Sequence, residues 1–438
     1  MKENGRALAQ ATAPGDDRRL GLAIDDARHH LHVIGPTGTG KSTLLARLIC
    51  ADIAAGRGVV VVEPKGDLVE EVLKRIPPNR VDQVVVLDPT ETNYPIGLNP
   101  LLGNGRSPEL VADQVLAVFH GLWRNNWGPR LQDILHASLL TLAIRGDASL
   151  CALPALLTNP AVRRRLRAGV DDPIALEPFW AWFETISDAE RQQAIAPVLN
   201  KLRPFLLRKS MRAIVGQLEP RFRIDEVFTE RKIVLVSLAK GLIGPEASAL
   251  LGSLFVAELW QAVLGRGRIS AERRHPVVAY ADEFQDYVHL PTDMADALAQ
   301  ARSYGVGLTL AHQHLAQLPG NLRAAVLANA RSRVCFQLAG EDAQAMARFS
   351  GGLLQPIDFQ RLRRYETYVQ LVVEGEVTEF ASARTLPLPA PSSDSGLVRE
   401  SSRRRYGRPV DEVDAEIRQL IEGEPGDERV GRRGRQQR

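Results

Sequence analysis

The sequence predicts an α/β fold in which helices cover both faces of a largely parallel sheet and one long all-helical segment interrupts it. Three observations predict this. Short apolar runs rich in β-branched residues recur along the chain and stop abruptly at polar residues, as strands buried on both faces do. The stretch "LHVIGPTGTGKSTLLARLIC" (31–50) sets a Gly-rich turn directly between such a run and a helical pattern. From 108 to 225 the strand-like runs disappear and helical spacing takes over, as in "ELVADQVLAVFHGLW" and "RLQDILHASLLTLAIRG".

In chain order, residues 1–17 are polar and expected to be mobile. A first sheet-forming part, 18–107, carries strands in "LHVIG", "GVVVVEPKGD" and "QVVVLDP". The helical insert follows at 108–225. The second sheet-forming part, 226–386, carries "KIVLVSLAK" (232–240), "PVVAYADE" (276–283), "GVGLTLAHQ" (305–313) and "SRVCFQLAG" (332–340). "YETYVQLVVEG" and "EVTEFASART" read as a hairpin on the sheet edge. The tail, 387–438, is rich in Pro, Ser and Arg and expected to be largely disordered, with room for one short helix in "DEVDAEIRQLIEG". There is no internal repeat.

At 438 residues the chain is too long for one simple core, so two or three domains are expected. Hydrophobic residues at 45% and charged residues at 24% are ordinary for a soluble globular protein. A net charge of +3 leaves only local clusters to argue for an anionic partner. Cys50, Cys151 and Cys335 are isolated, with neither metal-ligand spacing nor an obvious disulfide framework, which suits a reducing compartment. The polar start "MKENGRALAQ" is no secretory leader, and no stretch reaches the ~18 apolar residues of a spanning helix. The nearest candidate, 247–264, contains Glu258 and reads as a buried helix. The expectation is a cytoplasmic protein with no transmembrane anchor of its own.

"GPTGTGKST" supplies Gly35, Pro36, Thr37, Gly38, Thr39, Gly40, Lys41, Ser42 and Thr43 as a phosphate loop. Its glycines let backbone N–H groups curl round phosphates at a helix N-terminus. Lys41 is placed to reach the β- and γ-phosphates, and Ser42 to ligate Mg²⁺. A merely structural Gly-rich turn is the bland reading, and the strand–loop–helix context weighs against it. "VVAYADEF" provides a second acidic element at a strand end: Asp282 for the Mg²⁺ and Glu283 to orient and deprotonate an attacking water. If the strand ending in "AHQH" lies beside it, Gln313 meets the γ-phosphate as a sensor. His312 and His314 share the strand face opposite Gln313 and read as structural, since no third metal ligand is nearby. Glu63, Lys65 and Asp67 in "VVEPKGDL" read as a solvated turn or as a network supporting the phosphate loop.

Together "GPTGTGKST", "EPKGDL", "GLNPLL", "WGPRLQDIL", "YADEFQDY" and "ARSYGVGLTLAHQHLAQLP" resemble the coupling-protein ATPases of conjugative DNA transfer (type IV secretion), within the FtsK/HerA group of RecA-like motors. The resemblance spans about 35–340. It implies a RecA-like nucleotide domain with an all-helical insertion, ATP and Mg²⁺ as ligands, and a homo-hexameric ring with DNA in its channel. It also implies an arginine finger given across the subunit interface, to which Arg302 in "ARSYG" corresponds best, ahead of Arg331 and Arg333. Relaxase and type IV secretion channel proteins are the implied partners. Many members carry an N-terminal transmembrane anchor that this sequence lacks, so recruitment to the inner face of the membrane is expected. The function so implied is an ATP-driven DNA translocase. A HerA-like cytoplasmic DNA-processing motor and a nucleotide-gated adaptor for a relaxase–DNA complex are the alternatives.

For DNA, the insert offers Lys201, Arg203, Arg208, Lys209 and Arg212, continued by Arg221 and Arg223, as a phosphate-binding cluster or a solvated helix face. Trp123 and Trp127 beside Arg124 and Arg130 are more simply packing than base-stacking residues. Basic clusters "RRRYGR" (403–408) and "RRGRQQR" (432–438) mark the tail.

Overall fold

In the computed structural model, which describes residues 6–288 and 294–423, thirteen strands form and eleven of them build one sheet. They are β1 (Arg6–Ala11), β2 (Arg19–Leu22), β3 (Leu31–Ile34), β4 (Gly58–Glu63), β5 (Val84–Leu87), β6 (Ile233–Ser237) and β7 (Val277–Asp282). After these come β8 (Val306–His312), β9 (Ser332–Cys335), β10 (Glu366–Gln370), β11 (Val372–Val373), β12 (Glu376–Val377) and β13 (Ala381–Thr385). The sheet order is β2-β1-β13-β10-β9-β3-β8-β7-β4-β6-β5, and β11 pairs with β12 separately.

From β9 to β5 every neighbouring pair is parallel. These strands are the β-branched runs of the sequence, and β3, β4, β5 and β6 are buried along their whole length. Residues such as Val59, Val61, Leu235 and Val278 pack against Leu44, Leu48 and Ile49 of the helix Lys41–Ala54 in one core. The chain divides into two compact units: Met1–Thr90 with Phe222–Tyr406, which holds the sheet, and Glu91–Arg221 with Gly407–Arg438, which is helical.

The sheet unit departs from expectation at its margins. The stretch 1–17, expected to be mobile, supplies β1 beside β13, so the hairpin strand β13 is not the edge. Alanines at three of the six β1 positions hide its strand character, which comes from pairing and from burial of Arg6 rather than from propensity. The tail is also ordered over much of its described part. The helix Ser395–Tyr406 covers edge strand β5: Val86 N–H donates to Ser402 Oγ (2.9 Å), and Arg399 pairs with Glu70 and Asp88. An edge that would expose backbone donors is thereby closed. Within "RRRYGR", Arg405 pairs with Asp82 and Tyr406 Oη donates to the Asp82 carbonyl (3.1 Å). "RRGRQQR" lies outside the described residues.

Among the described residues one helix, starting at Pro245, is long and apolar enough to cross a membrane, and most of it is buried inside the sheet unit. A Cβ at Gly252 would stand 2.7 Å from the Cβ of Tyr287, and Ser253 Oγ donates to the Tyr287 carbonyl (3.0 Å).

The helical unit begins at Glu91, earlier than composition suggested. Its long helices are Pro108–Leu122, Pro129–Arg145 and Asp188–Leu206, the last started by a Ser187/Glu190 capping box. The helix anticipated near 411–423 is Val410–Glu422 and belongs to this unit, where Arg165 donates to its Leu420 and Ile421 carbonyls.

Candidate nucleotide site

The phosphate loop leaves the C-terminal end of β3 and enters the helix Lys41–Ala54. Gly38 (φ 86°) and Gly40 (φ 124°) take backbone conformations closed to most side chains. At Gly35 a Cβ would stand 2.6 Å from the Phe336 Cβ, so the close turn needs glycine there. Thr39 Oγ1 donates to the Pro36 carbonyl (2.8 Å). Lys41 Nζ donates to the carbonyls of Gly35 and Pro36, and burial lowers its pKa against the pull of Asp282 and Glu283. Ser42 is exposed at the helix start.

β8 lies between β3 and β7, with Ile34 opposite His312 and Ala311 opposite Asp282. One sheet edge therefore gathers the phosphate loop, the acidic pair and Gln313. Glu283 sits in the left-handed region (φ 48°), buried, where its carboxylate is clamped by three amides. Gln313 Nε2 donates to Oε1 (2.8 Å); Gln285 Nε2 (3.0 Å) and Gln317 Nε2 (3.4 Å) donate to Oε2. Gln317 also accepts from the Gln313 and His314 N–H groups, pinning the β8 tip.

Asp282 Oδ1 is buried with no hydrogen-bond partner, and burial followed by the neighbouring Glu283 pushes the group up to about 6, against Lys41. An orphaned carboxylate oxygen within electrostatic reach of Lys41, on the sheet edge that also carries the phosphate loop with its exposed Ser42 hydroxyl, supplies oxygen ligands of the kind a nucleotide-bound Mg²⁺ takes. Glu63 turns inward at the end of β4, 2% exposed, and accepts from Val69 N–H (2.6 Å). Burial first, with Asp282 and Asp67 adding to it, raises it to about 7. It supports the "EPKGD" turn rather than being solvated, while Lys65 and Asp67 are exposed.

His312 stacks on His32 of β3 with their Nε2 atoms 2.7 Å apart. His312 Nδ1 lies 3.0 Å from the His314 carbonyl, which can only accept. His312 therefore carries its proton on Nδ1 and receives one hydrogen bond from His32 through Nε2. Among the described residues no cluster of three or more His, Cys, Asp or Glu could hold a metal on its own. Burial pushes His312 down to about 4, with the His314 carbonyl and Glu283 pulling up and Lys41 and His314 pushing down; burial, then His312 and Arg333, hold His32 well below its ordinary value too. Both histidines gain protons on unfolding, so their contribution to stability is full above about 6.5 and is lost as pH falls towards 4. In His312→Gln the fall in unfolding free energy between pH 6.5 and 4.5 is expected to be smaller than in wild type, by about 2 kcal/mol in denaturant titrations. Equal falls would show that the ring does not titrate on unfolding. Glu63 and Asp282 slope the other way in the same window, so the comparison with wild type, not the bare curve, carries the test.

Arg302 ends the helix Met294–Ser303, exposed and without an ion pair among the described residues. It precedes β8 and acts on His29 and His30 before β3, at the strand ends opposite the phosphate loop, about 20 Å along β8. Arg331 is tied to His29 and the Gly375 carbonyl, and Arg333 is buried against Gln370 and the Leu327 carbonyl. In the helical unit, Arg203 and Arg208 are exposed, whereas Lys209 faces Asp414 (3.5 Å) and Arg212 donates to the Leu206 carbonyl (2.7 Å). Lys201 is half-buried and reaches the Pro197 carbonyl. Trp123 packs on Phe119, and Trp127 on His120 with its Nε1 donating to Gln132. The sequence reading missed Gln285, Gln317 and the inward turn of Glu63; only the proximity of the two glutamines to the motif residues marked them.

The sheet unit has a RecA-like α/β fold, with a phosphate loop set between β3 and the helix Lys41–Ala54. Residues 9–126, which include the loop, match the family model for conjugative DNA transfer by the type IV secretory system. The fold is similar to the bacterial conjugative coupling protein TrwB lacking its first 70 residues (TM-score 0.60, 18% identity, covering 88% of this chain and 90% of that one). TrwB in complex with ADP and Mg²⁺ is matched with a TM-score of 0.57 at 18% identity over 88% and 91%. VirB4 of Thermoanaerobacter pseudethanolicus is matched at 0.52 and 13% over 89% and 98%. At these identities the likeness is one of fold. No curated protein matches the sequence. The resemblance to the coupling-protein ATPases carried by the motifs is borne out by the family match over 9–126 and by the fold.

Proposed function

We propose that the chain is an ATP-driven DNA translocase of the conjugative coupling class. The observation that carries this reading is the meeting of Lys41, Asp282, Glu283 and Gln313 on one sheet edge at a phosphate loop, in a fold similar to TrwB, which binds ADP and Mg²⁺. Backbone N–H groups of 35–43 cradle the phosphates, and Lys41 turns from its loop carbonyls to the terminal ones. Ser42 and Asp282 would hold Mg²⁺, which would supply positive charge to offset that of the terminal phosphates. Glu283 orients the attacking water and takes its proton. Gln313 exchanges its bond to Glu283 for one to the γ-phosphate, so Oε1 is freed for the water only when triphosphate is present, while Gln285 and Gln317 keep Oε2 in place.

Because Arg302 lies at the far strand ends, it serves a neighbouring subunit of a homo-hexamer, neutralising charge in the transition state. Arg203 and Arg208, with Lys201, Lys209 and Arg212, contact DNA phosphates without reading bases. The motor works on the cytoplasmic side, brought to the membrane by relaxase and secretion-channel partners. The test is ATP hydrolysis with and without single- and double-stranded DNA. DNA is expected to raise turnover several-fold. Arg302→Ala is expected to abolish it, and mixing that variant with Lys41→Ala, itself inactive, to restore part of it. ATP binding with no turnover under any DNA condition would instead favour the nucleotide-gated adaptor.

A further inference from the structure

We infer that Tyr365, backed by Arg364, is the wall against which the base of the bound nucleotide stacks, so the site extends beyond the phosphate loop to the segment 361–365. The inference rests on the nucleotide-binding reading above and adds where the nucleoside lies. The sheet order provides the direction. β3 carries the phosphate loop; β8 and β7, which bring Gln313, Glu283 and Asp282, lie on one side of it, and β9 and β10 on the other. A triphosphate whose terminal phosphate faces β7 and β8 sends its nucleoside away from them, towards β9 and β10.

Tyr365 stands there. It immediately precedes β10, which runs antiparallel to β9, so it sits at the same sheet edge as the loop. Its N–H donates to the Thr39 carbonyl (2.8 Å), and its carbonyl accepts from Thr385 N–H (2.9 Å), fixing it between the loop and β13. A Cβ at Gly40 would stand 2.8 Å from Tyr365 Cδ1, which places the ring against the last turn of the loop. The residue is held at φ 69°, unfavourable for an aromatic side chain and maintained only by these contacts.

The surface chemistry matches a base with a phosphate chain attached. The Arg364 guanidinium carbon lies over the Tyr365 ring, 4.7 Å from its centre, so one side of the ring is backed by a cation. The ring is half-exposed and its hydroxyl has no partner among the described residues. Arg361, Arg363 and Arg364 are exposed, and none makes an ion pair among the described residues. Stacking is indifferent to most of the base's edges, so the class recognised is a nucleoside triphosphate with a preference for the larger purine ring.

Calorimetric titration with two probes separates this role from simple support of the loop. The probes are adenosine 5′-(β,γ-imido)triphosphate and inorganic tripolyphosphate, each with Mg²⁺, titrated into the full chain. Tyr365→Ala is expected to weaken nucleotide binding about tenfold and leave tripolyphosphate binding unchanged; Tyr365→Phe is expected to retain both. Arg364→Ala, at an exposed position that does not hold the loop, is expected to weaken the nucleotide alone, about threefold, and guards against a Tyr365→Ala protein that fails to fold. Equal weakening of both probes, or no change in either, overturns the inference while leaving the nucleotide site intact. Failure of the wild type to bind either probe would overturn the nucleotide reading itself.

Discussion

Glu283→Gln is expected to leave nucleotide binding within about twofold of wild type and to cut turnover by about 10²–10⁴, the range general-base catalysis supplies. Glutamine keeps the size of the side chain and can still meet the surrounding amides, so the variant should fold with the same left-handed backbone at 283. What it loses is the carboxylate that three amides, from Gln313, Gln285 and Gln317, hold in place. Steady-state hydrolysis and nucleotide titration on the same preparation read both effects. Turnover within threefold of wild type would move the base elsewhere. Glu63, buried at the end of β4 and raised to about 7, would then be the next carboxyl to test.

The largest effect on stability is expected at Asp52, which is fully buried on the phosphate-loop helix. It receives Arg57 Nη1 (2.9 Å) and the Tyr280 hydroxyl (2.5 Å), and Arg6 Nε lies 3.1 Å away as an ion pair. Arg6, 1% exposed, also donates to Tyr280 (2.7 Å). One carboxylate thus ties β1 and the acidic-pair strand β7 to the phosphate-loop helix. Asp52→Asn leaves a buried guanidinium uncompensated and is expected to cost about 3–5 kcal/mol, a large share of a typical domain's stability. Removing both charges together, in Arg6→Met with Asp52→Leu, is expected to cost much less than the sum of the single changes. Additive costs in denaturant titrations would show that the pair is not coupled.

Much of the site was legible because its signals are local. A phosphate cradle needs consecutive backbone N–H groups with glycines at particular turns, so "GPTGTGKST" announces itself in nine residues. The acidic pair is legible for a similar reason, as two carboxyls at the polar end of an otherwise apolar strand. His312 and His314 read as structural from the lack of a third ligand; the structure adds His32 as the partner of His312, a contact with no trace in the spacing. β1 and the tail helix Ser395–Tyr406 were missed because alanine-rich and Arg/Ser-rich segments have weak patterns of their own. They are ordered by the partners that bury Arg6 and close the β5 edge.

By itself the sequence determined the α/β class, the helical interruption, the phosphate loop and the acidic strand end. Each follows from periodicity or backbone chemistry within a short window. Only the tertiary structure decided that β8 lies between β3 and β7, so that Gln313 reaches Glu283 across 30 residues of chain. It also decided that Tyr365 closes on the loop from the other side and that Arg6 finds Tyr280 across 274 positions. Strand order and buried ion pairs depend on which segments stack side by side in one core. That is settled by the packing of the whole unit, and no short window of residues contains it.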